Sequence, residues 1–184
     1  GAPCNICDRG EDVFPTITRI NADGSGREVY ARGIRNTVGF TWHPETKELW
    51  FTDNGRDMMG DNIPNCELNR AAEQGMHFGY PYCHEGSVKD PEFGSKRSCS
   101  EFVAPVQKLG PHVAPLGLKF YSGDMFPASY KNQVFIARHG SWNRSNPLGY
   151  PIGLVHVHDR ESASGQRIFA EGWLQHGRGW GRAR

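Results

Sequence analysis

The sequence predicts an all-β fold, and more narrowly part of a β-propeller. Three observations predict it. No stretch of the 184 residues keeps a helical spacing of apolar positions. Short runs of β-branched and aromatic residues alternate instead with Gly, Pro, Asn and Asp, and the chain holds 23 Gly and 12 Pro. The third observation is a repeat. RINADGSGREVYARG, ending at Gly33, parallels VHVHDRESASGQRIFAEG, ending at Gly172, and Val38–Asp53 parallels Leu118–Arg138. Each is strand, polar connection, strand. Four-stranded antiparallel units in series are propeller blades. About two and a half are visible, fewer than the ~4–8 of a closed ring. Residues 1–33 read as the end of one blade, 34–110 as a blade with a long insert, 111–174 as another, and 175–184 as the start of a further connection. The whole is a single partial domain.

The elements follow in order. Thr16–Asn21 alternates, Asp23-Gly24 turns, and Glu28–Ala31 returns, which is a hairpin. Val38–Trp42 and Glu48–Thr52 form a second hairpin around the turn His43–Lys47. Glu67–Ala71 is a short strand or turn. Residues 77–82, HFGYPY, suit a packed loop, and Ser87–Ser100 is a polar excursion. Apolar character resumes at Val103–Leu109, and strands follow at Gly117–Tyr121, Gln133–Ala137, Gly153–His158 and Arg167–Ala170. Met125–Tyr130 is spaced for one helical turn.

Composition excludes some functions. The net charge is +1, without the basic excess of a nucleic-acid binder. No apolar run approaches the ~20 residues of a membrane span. The chain opens GAPCNIC without an initiator Met, so the lack of a leader says nothing about compartment. Five cysteines, Cys4, Cys7, Cys66, Cys83 and Cys99, read as structural disulfides of an oxidising compartment. Cys4 and Cys7 have zinc-ribbon or redox spacing but no second CxxC, and Asp8 breaks the haem-attachment motif. A bridge between Cys83 and Cys99 would shorten the polar excursion. One thiol is left over, and Cys66 is the candidate; the pairing stays open.

Chemistry gathers at one end of the central hairpin. Arg35-Asn36 precedes its first strand and Asp53-Asn54-Gly55-Arg56-Asp57 follows its second. An antiparallel pair goes out and returns, so both segments meet on one rim. An Arg, two Asn, two Asp and a backbone-exposing Gly therefore converge there, and this is the main functional clue in the sequence.

At these residues the chain resembles a known family. GAPCNIC, ADGSGREVYARGIRNTVGFTWHPETKELWFTDNGRDMMGD, ELNRA, HFGYPYC, HVAPLGLKFYSGDMFP and HGSWNR, in this order, are similar to the soluble pyrroloquinoline quinone (PQQ)-dependent sugar dehydrogenases, in particular the L-sorbosone dehydrogenase-like branch. The resemblance covers nearly the whole chain. It implies a six-bladed propeller, a periplasmic or secreted location, PQQ at the top of the ring, and calcium. It implies hydride transfer from an aldose or sugar aldehyde, with electrons leaving to an external acceptor.

Residue by residue, Arg35 and Asn36 resemble the pair that binds the quinone. Asn54 resembles a cofactor contact, and Gly55 and Arg56 the backbone carbonyls that hold calcium against it. Glu67 and the Phe78 carbonyl resemble a second calcium position, with Cys66 where an acidic neighbour is expected. His112, Arg138 and Arg182 resemble cofactor-facing positions, and His139 and Arg144 a basic rim beside them. The His that accepts the substrate proton lies, in the family, upstream of GAPCNIC, and none of the eight His here matches it. By this reading 1–184 alone is inactive and depends on the remaining blades of a parent chain. Each residue also has an ordinary reading: a strand-end Arg, an Asn-Gly turn, a Glu paired with Arg, a hydrogen-bonding His. Two other functions remain: a calcium-dependent propeller lactonase, needing ligands from several blades, and a non-catalytic binding module.

Overall fold

The computed structural model describes residues 1–184. β1 (Thr16–Arg19) and β2 (Glu28–Arg32) form a hairpin. β3 (Phe40–Trp42), β4 (Leu49–Asp53), β5 (Asn65–Ala71) and β8 (Gln107–Pro111) form an antiparallel sheet in that order. Between β5 and β8 the insert carries a small hairpin, β6 (Cys83–His84) and β7 (Val88–Lys89). β9 (Pro115–Phe120), β10 (Val134–Arg138), β11 (Ile152–His158) and β12 (Ser162–Ala170) form the second four-stranded sheet. A two-residue hairpin, β13 (Leu174–Gln175) and β14 (Arg178–Gly179), ends the chain.

The sheets stack face to face in radial order. First strand lies by first strand, β3 against β9, and last by last, β8 against β12. This is the packing of consecutive propeller blades, with β1–β2 as the outer half of the preceding one. β4 shows how the sequence encodes it. Every residue from Leu49 to Asp53 is buried, because both faces of this strand are covered. Leu49 and Phe51 pack towards β1–β2 with Ala31, Ile34 and Phe78. Trp50 faces the second sheet with Leu68, Phe120, Ile136 and Val155. Its indole meets the Phe120 ring edge-on at 5.4 Å.

Some expected boundaries shift. Val38 and Gly39 lie outside β3, since Gly39 sits where a Cβ would strike the Leu116 carbonyl. The Val103–Leu109 segment pairs only from Gln107. Ala128–Tyr130 is a single 3₁₀ turn, as its spacing implies. The disulfides are Cys4–Cys7 and Cys83–Cys99, and Cys66 is the free, buried thiol.

Candidate functional site

The ends of β4 and β5 and the segments before β3 and β9 meet at one rim of the stacked sheets. A cavity of about 200 Å³ opens there, lined by Arg35, Asn36, Asn54, Gly55, His112 and Trp142, with Cys66, Ala114 and Leu116 among its walls. Sequence adjacency to the hairpin thus becomes spatial convergence, and Arg35 Nη1 donates to the Gly55 carbonyl at 2.7 Å.

Arg35 is fixed more tightly than its sequence suggests. Nε donates to the Asn5 carbonyl, Nη1 to the Asn54 and Gly55 carbonyls, and Nη2 to Asn5 Oδ1 and Asp57. A guanidinium has five N–H groups, and each finds an acceptor here. Asn5, inside the Cys4–Cys7 loop, also accepts from the Asp57 amide and donates to the Asp57 carbonyl. Arg35 is therefore a clamp that sets the Asn54–Gly55 backbone, and its charge is matched by Asp57 at 2.8 Å. Asn54 is likewise committed: its Nδ2 donates to the Asn36 carbonyl at 2.9 Å. Asn36 is exposed; its backbone N–H donates to Asp53, and its side-chain amide is uncommitted.

The opposite wall is strained. His112 and Ala114 have φ of 56° and 47°, a left-handed backbone that costs non-glycine residues energy. Two such residues one apart, both on one cavity, mark a wall held for its shape. His112 Nε2 pairs with the Gly60 carbonyl at 2.7 Å, leaving Nδ1 free. Trp142 is 70% exposed at the mouth and offers an uncovered ring face. Sequence reasoning passed over Trp142; the available signal was an aromatic within the polar HGSWNR loop.

A second, smaller space lies on the other face of β4. Asp53 pairs with Glu67 across the β4–β5 register, and both carboxyls line a void of about 10 Å³ with Gly55 and Phe78. That is room for about one water-sized sphere. Asp53, 5% exposed, accepts the Arg35 and Asn36 amides, yet burial still pushes its carboxyl up to about 6. Glu67, 8% exposed, is pushed up to about 8 by burial first and by the Asp53 charge next. Asn69 and the Glu85 amide hydrogen-bond it, and no Arg pairs with it, which removes its ordinary reading. Two buried like charges around one small void are what a divalent cation would relieve.

Other candidates lie elsewhere. Arg56 turns away to Asp90 and Glu92 and anchors the insert, so only its backbone remains for a metal. Arg138 lines a different cleft, beside β11 and β12. Arg182 stacks on Tyr150 and donates to the His139 carbonyl, and Arg144 bonds the Asp61 carbonyl. These three basic residues do not join the Arg35 cavity. No group of three or more His, Cys, Asp and Glu side chains is placed to hold a metal. His43, fully buried, accepts the Glu45 and Thr46 amides and orders the hairpin turn.

Comparisons with known proteins bear on this site. A protein of unassigned function from Borreliella burgdorferi is 43% identical over 162 residues, covering 87% of this chain and 43% of that protein. The pyrroloquinoline quinone-dependent pyranose dehydrogenase of Coprinopsis cinerea is 42% identical over 173 residues, covering 75% of this chain and 22% of that protein. The chain therefore spans less than half the length of these relatives. The holo form of the pyranose dehydrogenase PQQ domain from Coprinopsis cinerea superposes with a TM-score of 0.61 at 23% identity, over 79% of this chain and 42% of that one. At that identity the likeness carries the fold, which agrees with the stacked blades. The TrAA12-like family model matches residues 15–171, the stretch from β1 to just beyond β12, and the chain belongs to the TrAA12-like family.

Proposed function

We propose that the chain is part of a PQQ- and calcium-dependent sugar dehydrogenase that oxidises an aldose or sugar aldehyde, as in the sorbosone branch, and passes electrons to an external acceptor. Family membership and the pyranose dehydrogenase relative support this reading. The observation that carries it is the convergence of Arg35, Asn36, His112 and Trp142 on one cavity with a strained wall.

The residues fit a flat, polyanionic quinone in stated ways. Trp142 offers a ring face, Asn36 an uncommitted side-chain amide, and His112 a free Nδ1. Arg35 fits differently from the sequence expectation. With every N–H already engaged, it contributes by fixing the Asn54–Gly55 carbonyls. Asp57 balances its charge, so a polyanion here needs a further cation. The backbone of Gly55 and Arg56 suits calcium in that role, and Asp53 and Glu67 suit a second ion. When bound, PQQ supplies the hydride-accepting quinone and calcium the Lewis acid that polarises it. Two cystines favour a periplasmic or secreted location.

The test is a titration of the full-length protein with PQQ and calcium, reading absorbance and tryptophan fluorescence. Stoichiometric binding is expected, and Trp142→Ala is expected to weaken it about tenfold, the scale of one ring-stacking contact. No spectral change at equimolar PQQ and calcium overturns the reading.

A further inference from the structure

The cleft that holds Arg138 is about 500 Å³, lies between β10 and β12 of the second sheet, Val113 and the 148–151 and 171–174 segments, and shares no lining residue with the Arg35 cavity. Arg138 is 8% exposed. Its one side-chain partner is the neutral Gln166 carbonyl, and its Nε is buried without any partner. Three other buried or half-buried arginines are matched by carboxylates: Arg35 by Asp57, Arg56 by Asp90 and Glu92, and Arg70 by Glu48. Arg138 departs from that pattern, and burial alone lowers the hold on its proton. A buried cation without a counter-charge is costly, and an anion supplied from solvent would relieve it.

The surroundings keep the guanidinium open to the cleft. Gly153 lies beneath it, where a Cβ would approach within 3.0–3.2 Å of its atoms. Leu148, Ile168 and Trp173 make apolar walls, and Glu171, exposed, is the cleft's one carboxylate. A second negative charge on a ligand would meet Glu171, so the cleft favours a single carboxyl on an apolar body.

We propose that this cleft is a binding site for a small organic monocarboxylate, its carboxyl paired with Arg138 and its body packed on Leu148, Ile168 and Trp173. The site does not depend on the function proposed above.

The test uses benzoate as probe and benzamide, its neutral counterpart, as control, in calorimetry on the full-length protein. Saturable benzoate binding without benzamide binding is expected. Arg138→Gln is expected to weaken benzoate about tenfold or more, as loss of a charge-assisted hydrogen bond does. Absence of benzoate binding, equal binding of benzamide, or binding unaffected by Arg138→Gln overturns the proposal. Competition between benzoate and PQQ places the probe in the Arg35 cavity and also overturns it. Where Arg138→Gln fails to fold, Trp173→Ala decides: weaker benzoate binding supports the site, and unchanged binding rejects it.

Discussion

Asp53 and Glu67 carry the clearest dependence on solution conditions. Each has a folded-state proton affinity raised above its unfolded value. The folded protein therefore holds more protons than the unfolded chain between about pH 4 and pH 8, and each tenfold difference is worth about 1.4 kcal/mol. The associated stability is present below that window and is lost as pH rises through about 6 and then 8. A divalent ion reverses the sign, since it binds the ionised pair. Chelated protein is thus expected to melt lower at about pH 8 than at about pH 5, and calcium to restore most of the difference at the higher pH. Glu67→Gln is expected to flatten both effects; a melting point indifferent to calcium at the higher pH would count against the ion site. Asn5 is a second test at this scale. Asn5→Ala strips acceptors from Arg35 and the Asp57 amide, and a stability loss of about 1–3 kcal/mol in denaturant unfolding is expected. Arg35, Asn36 and Gly55 were legible in the sequence because a hairpin returns its ends to one rim. Asn5 was not, because it lies thirty residues before Arg35 and reaches it only through the fold. That Arg138 lines a different cleft from Arg35 was not legible, because a basic motif in a line of text does not say which side of a strand each residue takes.

Among the elements, the insert between β5 and β8 hangs from few points. Arg56 grips Asp90 and Glu92, His84 meets Asp90, and Cys83 is bridged to Cys99 across 16 positions. Closing a loop of that length is worth about 3 kcal/mol in the chain-entropy view. The double change Cys83→Ser and Cys99→Ser is expected to cost about that much and to raise amide exchange in 84–98 ahead of β4 and β5. Uniform exchange across the chain would show instead that the insert and sheet open together. The long strands were readable because their apolar runs are bounded by turn residues. β13–β14 was not. Its turn, His176-Gly177, has positive φ at both residues, the backbone of a tight hairpin, but His-Gly is a weaker signal than Asn-Gly.

For the molecule as a whole, the stack leaves aromatic faces open at both ends. Phe126, Phe135 and Phe169 cluster on the outer side of the second sheet, and Phe40 and Trp42 are exposed on β3. Such surfaces drive association. Residues 1–184 produced alone are expected to bind a hydrophobic dye and to elute above their 20.6 kDa mass in size-exclusion chromatography. A monodisperse, dye-silent monomer would mean that the open faces are covered in some other way. The serial architecture was legible because repeats survive in order and spacing. The radial stacking behind the fully buried strand β4 was legible only as an apolar run, whose two partners no single sequence names.

The locked Arg35 bears on how fast a ligand can come and go. A guanidinium with no idle donor has nothing to release and nothing to swing aside, so arrival at that mouth waits on diffusion and orientation rather than on side-chain rearrangement. Differences among ligands would then be written in how slowly they leave.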